Sequence, residues 1–173
     1  LGYALQLGEL NGVKIENMLE QNRQLRKQQE KEPMKEYGMI AVAAGDGLNN
    51  VFKDIDVDYV ISGGQTMNPS ANDIATAADK VNAKNIFVFP NNKNIIMSAE
   101  QANDITDKNL IIIPTKSVPE GVSAVLAFDS AASIDENIEN MLDAMSSVKS
   151  GSVTYAVRTT NVDGIDVKVG DIM

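Results

Sequence analysis

Two stretches gather the groups best suited to hold an anion: Ser62-Gly63-Gly64-Gln65-Thr66-Met67-Asn68-Pro69-Ser70 and Pro90-Asn91-Asn92-Lys93-Asn94. Gly63 and Gly64 have no Cβ to keep a ligand from the backbone. Thr66, Asn68 and Ser70 add side-chain donors, and N–H groups exposed at a following helix start suit a carboxylate or phosphate. Asn91, Asn92 and Asn94 offer carboxamides for a small anion, while Lys93, and Lys116 further on, add charge at the same edge. Each has a plain structural alternative: a tight strand–helix turn that Ser70 merely caps, asparagines that satisfy a turn and tolerate left-handed backbone, and surface lysines.

Other chemistries lack their residues. The chain has no cysteine and no histidine, which removes disulfides, Cys/His zinc sites, a cysteine nucleophile and any histidine triad. There is no P-loop, and Gly45-Asp46-Gly47 lacks the third glycine of a dinucleotide fingerprint. Asp46 reads as a turn residue before a metal or ribose ligand, and Asp54, Asp56 and Asp58 read as a solvated loop. No carboxylate cluster suggests a Mg²⁺ site. Residue chemistry alone yields no catalytic residue.

The two stretches are positioned by strands and helices in alternation. Met39–Ala43, Asp58–Ile61, Asn85–Phe89 and Leu110–Ile113 are apolar runs of strand length, as in strands buried on both faces. Helical spacing follows each: Leu48, Val51, Phe52 and Ile55; then Ile74, Ala77, Ala78 and Val81, opened by Ser70 and Asp73 as a capping box; then Ile95, Ile96, Ala99 and Ala102. A helix over Val118–Ala127 carries Pro119 in its first turn, and another over Ser133–Val148 has the stripe Ile134, Ile138, Met141, Leu142 and Met145. This alternation predicts an α/β fold, a parallel sheet flanked by helices. Both stretches then lie beyond the carboxyl ends of strands, where open α/β sheets bind ligands.

Residues 1–36 read as the end of a preceding domain and a partly helical linker. They hold the turn Asn11-Gly12, then a helix-prone run with only Leu19 and Leu25 as its sparse apolar positions. Residues 37–150 form the α/β domain. In 151–173, a strand over Ser152–Arg158, a turn at Val162–Ile165 and a returning run to Val169 suggest a β-hairpin that packs on a part lying downstream. The start at Leu1 suggests a fragment.

At 173 residues, a domain can bury roughly 70 % of its unfolded surface without staples. Residues 1–36 are neutral, and the remainder carries nine basic and eighteen acidic side chains, the whole net charge of −9. An acidic body repels phosphate backbones, so nucleic acid is not an expected partner. No apolar run approaches the ~20 residues of a membrane span. A cytoplasmic setting fits a chain without cysteine.

The order Gly63-Gly64-Gln65-Thr66-Met67-Asn68-Pro69-Ser70, Pro90-Asn91-Asn92-Lys93-Asn94, Pro114-Thr115-Lys116-Ser117-Val118-Pro119-Glu120-Gly121 and Val153-Thr154-Tyr155-Ala156-Val157-Arg158 resembles the C-terminal half of the A-type subunit of bacterial fatty acid kinase. This family is also known as dihydroxyacetone kinase-like or DAK phosphatase. The resemblance runs from about Gly8 to the end. It implies that residues 37–173 begin a DegV-like C-terminal domain. It also implies a kinase domain elsewhere in the parent protein, using ATP and Mg²⁺ to make acyl phosphate, and no cofactor in this part. The implied partners are a second copy, through the parent protein, and a DegV-type fatty-acid-binding subunit. Thr66–Ser70 resembles the Thr-Ser-Gln-Pro-Ser segment whose threonine holds the carboxylate in DegV proteins. Asn91 and Asn92 stand where those proteins carry a Ser-Ser pair on the same headgroup.

Three readings follow. The first is a non-catalytic regulatory or docking module of a fatty acid kinase, in phospholipid precursor supply. The second is a binding module for a small anion or fatty-acid carboxylate, through Gly63, Gly64, Thr66, Asn68, Ser70, Asn91, Asn92 and Lys93. The third is a phosphatase, as the older family label implies.

Overall fold

The run Gly38-Met39-Ile40-Ala41-Val42-Ala43 has no polar alternation, and in the computed structural model of the chain all six residues are buried. The structure describes residues 33–63, 68–151, 153, 155, 156, 158–162 and 165–172. By their contacts the residues divide into two units, 1–35 and 36–173; the fold below is that of the second.

The elements run β1 (Lys35–Ala43), α1 (Asp46–Asp54), β2 (Tyr59–Ser62), α2 (Ala71–Lys80), β3 (Ala83–Phe89), α3 (Lys93–Ala102), β4 (Asn109–Ile112), α4 (Val118–Leu126) and α5 (Ile134–Ser146), then β5 (Thr160–Val162) and β6 (Ile165–Val167). The first four strands form a parallel sheet in the order β2-β1-β3-β4. Ile40 to Ala43 register with Tyr59 to Ser62, and Asn85 to Val88 with Asn109 to Ile112. The α/β fold expected from the alternating pattern is the one observed.

The strand order explains the two helix layers. The chain steps outward from β1 to β2, then returns across β1 to β3 and on to β4. Right-handed crossovers made in opposite directions put their helices on opposite faces. Ile40, Val42, Ile86 and Val88 accordingly pack with Ile74, Ala78, Ile95 and Ala99 of α2 and α3. Met39, Ala41, Phe87 and Phe89 pack with Phe52 of α1, Ala124 and Val125 of α4 and Met141 of α5. Tyr37, Phe87 and Phe128 add an aromatic group on that second face, with ring centroids 5.7 to 5.9 Å apart.

Helix ends follow their local sequence. Ser70 and Asp73 close the expected capping box of α2, and Ser133 and Glu136 close another at α5. Two apolar stripes differ from expectation. In α1 only Phe52 is buried, while Leu48 and Val51 are exposed, because α1 covers one margin of the sheet. In α5 Leu142 faces outward and Asn137 is buried instead. Hydrogen bonds make that burial possible: Asn137 Oδ1 accepts from Asp129 N–H, and Nδ2 donates to the carbonyls of Asp129, Ala132 and Ser133.

Past α5, β5 and β6 pair antiparallel across the expected turn, Val162 opposite Ile165. Of the strand expected over Ser152–Arg158, the described residues give one bridge, Tyr155 with Ile172.

Candidate functional site

Where successive connections leave a sheet on opposite faces, the helices diverge and open a crevice at the carboxyl edge. Here that point lies between β1 and β3. A cavity of about 420 Å³ occupies it, lined among others by Ala44, Gly63, Asn91, Asn92, Lys116 and Ser117. The second stretch thus meets the start of the first, and both meet the loop that joins β4 to α4.

Gly63 continues β2, donating its N–H to the Ala43 carbonyl at 2.9 Å. Asn91, just past β3, is buried and left-handed at φ 56°, a conformation asparagine tolerates better than most residues. Its Nδ2 donates to the Val42 carbonyl at 2.9 Å and its N–H to Thr115 Oγ1 at 3.0 Å. The Thr115 hydroxyl in turn donates to Asn91 Oδ1 at 2.9 Å. The carbonyl of Val42 needs a donor and the hydroxyl proton an acceptor, which orients the carboxamide. Asn91 therefore ties β1, β3 and the β4–α4 loop together.

Asn92 is the N-cap of α3, its side chain accepting from Asn94 N–H at 2.9 Å. Ser117 caps α4, accepting from Glu120 N–H at 3.4 Å, and Glu120 Oε2 accepts from Lys116 N–H at 2.6 Å. The N-termini of α1, α3 and α4 thus all open at this edge. Asp46 and Glu120 place carboxylates in the first turns of α1 and α4, whereas α3 has none and begins with Lys93. The partial positive charge of α3 is the one not offset within its own first turn. The Lys116 side chain stands exposed on the lip.

The remaining sequence candidates lie elsewhere. Gly64 and Thr66 fall outside the described residues. Asn68 lines a second cavity of about 510 Å³ between β2 and α2, with Tyr59 and Lys80. Ser70 is exposed and occupied by its cap, its hydroxyl donating to Asp73 Oδ2 at 2.7 Å. Lys93 is exposed at the first turn of α3. Sequence reading did not single out Thr115 or Ser117 as site residues. Their signal was position, since both follow β4 at the edge where the two stretches lie. Asp58, read as part of a solvated loop, instead accepts from the Met39 N–H at 2.9 Å.

The FakA-like family, which describes the C-terminal part of a fatty acid kinase, matches residues 38–173. The chain belongs to this family. It is 48 % identical over 180 residues to the protein YloV of Bacillus subtilis (strain 168), covering 100 % of this chain and 32 % of that protein. An uncharacterized protein of Staphylococcus aureus (strain USA300) is 44 % identical over 171 residues, covering 96 % of this chain and 31 % of that protein. Another, from strain NCTC 8325 / PS 47 of the same species, gives the same figures. The chain spans about a third of the length of these relatives.

In this FakA-like module, the described residues offer binding rather than turnover. No three acidic residues converge among them, so they do not fit a nucleotide-bound Mg²⁺. The carboxylates of Asp73 and Glu136 are held below their ordinary range by hydrogen bonds from Ser70 and Ser133, which stabilise the charged form and serve helix capping. Among the described residues no helix is long and apolar enough to cross a membrane.

Proposed function

We propose that this chain is a non-catalytic module of a fatty acid kinase-type protein, and that its β1/β3 cleft holds a small anion such as the carboxylate of a fatty acid. The observation carrying this reading is the α3 N-terminus, which opens on the cleft at Asn92 without an acid in its first turn and shares the lip with Lys116. Gly63 lets backbone approach from the other side. The ATP and Mg²⁺ chemistry belongs, in this reading, to a kinase domain in another part of the parent protein, in the cytoplasm.

Titration with octanoate and separately with inorganic phosphate, followed by ¹H–¹⁵N NMR, tests it. The amides of Asn92, Lys93, Asn94, Lys116 and Ser117 should shift together, and Lys116→Ala should weaken binding several-fold. Stationary resonances at millimolar concentrations of both compounds would overturn the reading, and a response to one alone identifies the headgroup.

A second reading, docking to a DegV-type fatty-acid-binding subunit, is favoured by the residues after α5. Val153, Tyr155, Ile165, Val169 and Ile172 are each at least 66 % exposed, an apolar set that a monomer rarely leaves in water. Co-purification with that subunit should be lost on Tyr155→Asp; retained capture would count against this surface.

A further inference from the structure

The cleft has a lip built from two loops, and one buried side chain sets the distance between them. We infer that Asn91 is a positioning residue for this cleft, acting through Thr115 rather than by touching a ligand with its carboxamide. The inference rests on the anion-binding reading of the cleft given above.

Every polar group of the Asn91 side chain is engaged inside the fold. Nδ2 is held by the Val42 carbonyl at the end of β1, and Oδ1 by the Thr115 hydroxyl. The same hydroxyl accepts from the Asn91 N–H, so Asn91 and Thr115 exchange two hydrogen bonds across 24 positions of sequence. Thr115 is fully buried and immediately precedes Lys116 and Ser117. Asn91 immediately precedes Asn92, the N-cap of α3. The pair therefore fixes the spacing of the two segments that carry the lip, the α3 N-terminus and Lys116. Gly121 supplies room for it, because a Cβ there would stand 2.8 Å from Asn91 Cγ. Geometry held by buried hydrogen bonds is preorganised, which lowers the cost of ordering donors when an anion binds.

Thr115→Val keeps the volume and removes the hydroxyl, leaving the Asn91 N–H and Oδ1 unpaired; Thr115→Ser restores the hydroxyl. The two variants and the unaltered chain are compared by ¹H–¹⁵N NMR, first alone and then with octanoate or phosphate. Thr115→Val should shift the amides of Asn92, Lys116 and Ser117 while leaving those of α2 in place. It should also weaken binding about tenfold, the effect of one hydrogen bond's worth of preorganisation, and Thr115→Ser should recover both. An unmoved lip, or unchanged affinity in Thr115→Val, overturns the role of the pair. Should the unaltered chain bind neither compound, the anion reading of the cleft fails. The lip resonances without ligand then decide alone whether the pair sets the loop geometry. If Thr115→Val does not fold, Gly121→Ala presses on the same carboxamide and must disturb the same amides.

Discussion

The carboxamide of Asn91 occupies the space that a side chain on residue 121 would need. A left-handed asparagine after β3 and a glycine in the first turns of α4 are thus one packing unit. Each makes sense of the other.

Gly121→Ala should accordingly destabilise the fold, although alanine is the better helix former by about 1 kcal/mol. Overpacking against a buried, hydrogen-bonded amide outweighs that gain, with a net loss of about 1–3 kcal/mol. Urea denaturation measures it. Combining Gly121→Ala with Asn91→Gly should cost less than the sum of the single changes, since the glycine at 91 vacates the contested space.

Asn137→Leu should cost about 2–3 kcal/mol, because it leaves the buried Asp129 N–H and the carbonyls of Asp129, Ala132 and Ser133 short of a partner. The urea midpoint should fall at constant m-value. A neutral result would mean that the loop between α4 and α5 refolds around the leucine.

Two glycines should respond to alanine in opposite directions. At Gly38 in β1, a Cβ would meet Val81 Cγ1 at 2.6 Å and Ala83 Cβ at 2.8 Å, so Gly38→Ala must push α2 and β3 away. Gly47 lies inside α1 with nothing within 4 Å of its would-be Cβ. Gly47→Ala should stabilise by about 0.5–1 kcal/mol by restricting the unfolded chain and favouring helix. Thermal melts of the two variants should move to opposite sides of the parent.

Acid stability should depend on two capping serines. Asp73 and Glu136 titrate lower in the folded chain than in the unfolded one, first through hydrogen bonds from Ser70 and Ser133. Protonation therefore favours unfolding. Their contribution is complete above the ordinary carboxylate range and disappears as pH falls through the lower folded values. Ser70→Ala with Ser133→Ala should reduce stability at neutral pH and flatten its decline in acid, as read from urea midpoints across pH.

At the alkaline end the sign reverses. Burial, then the charges of Glu36 and Glu136, raise the Tyr37 hydroxyl above its usual value. Its neutral form is the one the fold favours, donating to the Ala132 carbonyl at 3.1 Å. That contribution is present below the ordinary tyrosine range and is lost as pH rises through the raised folded value. Absorbance titration near 295 nm should show a late-ionising tyrosine that Tyr37→Phe removes.

Much of this architecture is local and could be read in the chain itself. Apolar runs without alternation marked β1, β3 and β4, and helical spacing marked the helices between them. The capping box at Ser70 was legible because its hydrogen bonds span three residues. Burial of Asn137 was not, because its partners at Asp129 and Ala132 lie in an irregular turn that no periodicity describes.

The carboxyl edge of the sheet could be named from sequence, since every strand-to-helix loop falls there. Which loops meet was decided by strand order alone. The order β2-β1-β3-β4 places Val42, Asn91 and Thr115 in contact, residues separated by 49 and 24 positions. It also carries Asn68 to a different cavity from Gly63. Residue types and spacing determine which elements form, because those preferences act within a few residues. Only the packed sheet decides whether an asparagine beside a strand faces a ligand or locks the strand in place, because that depends on partners the chain brings from far away.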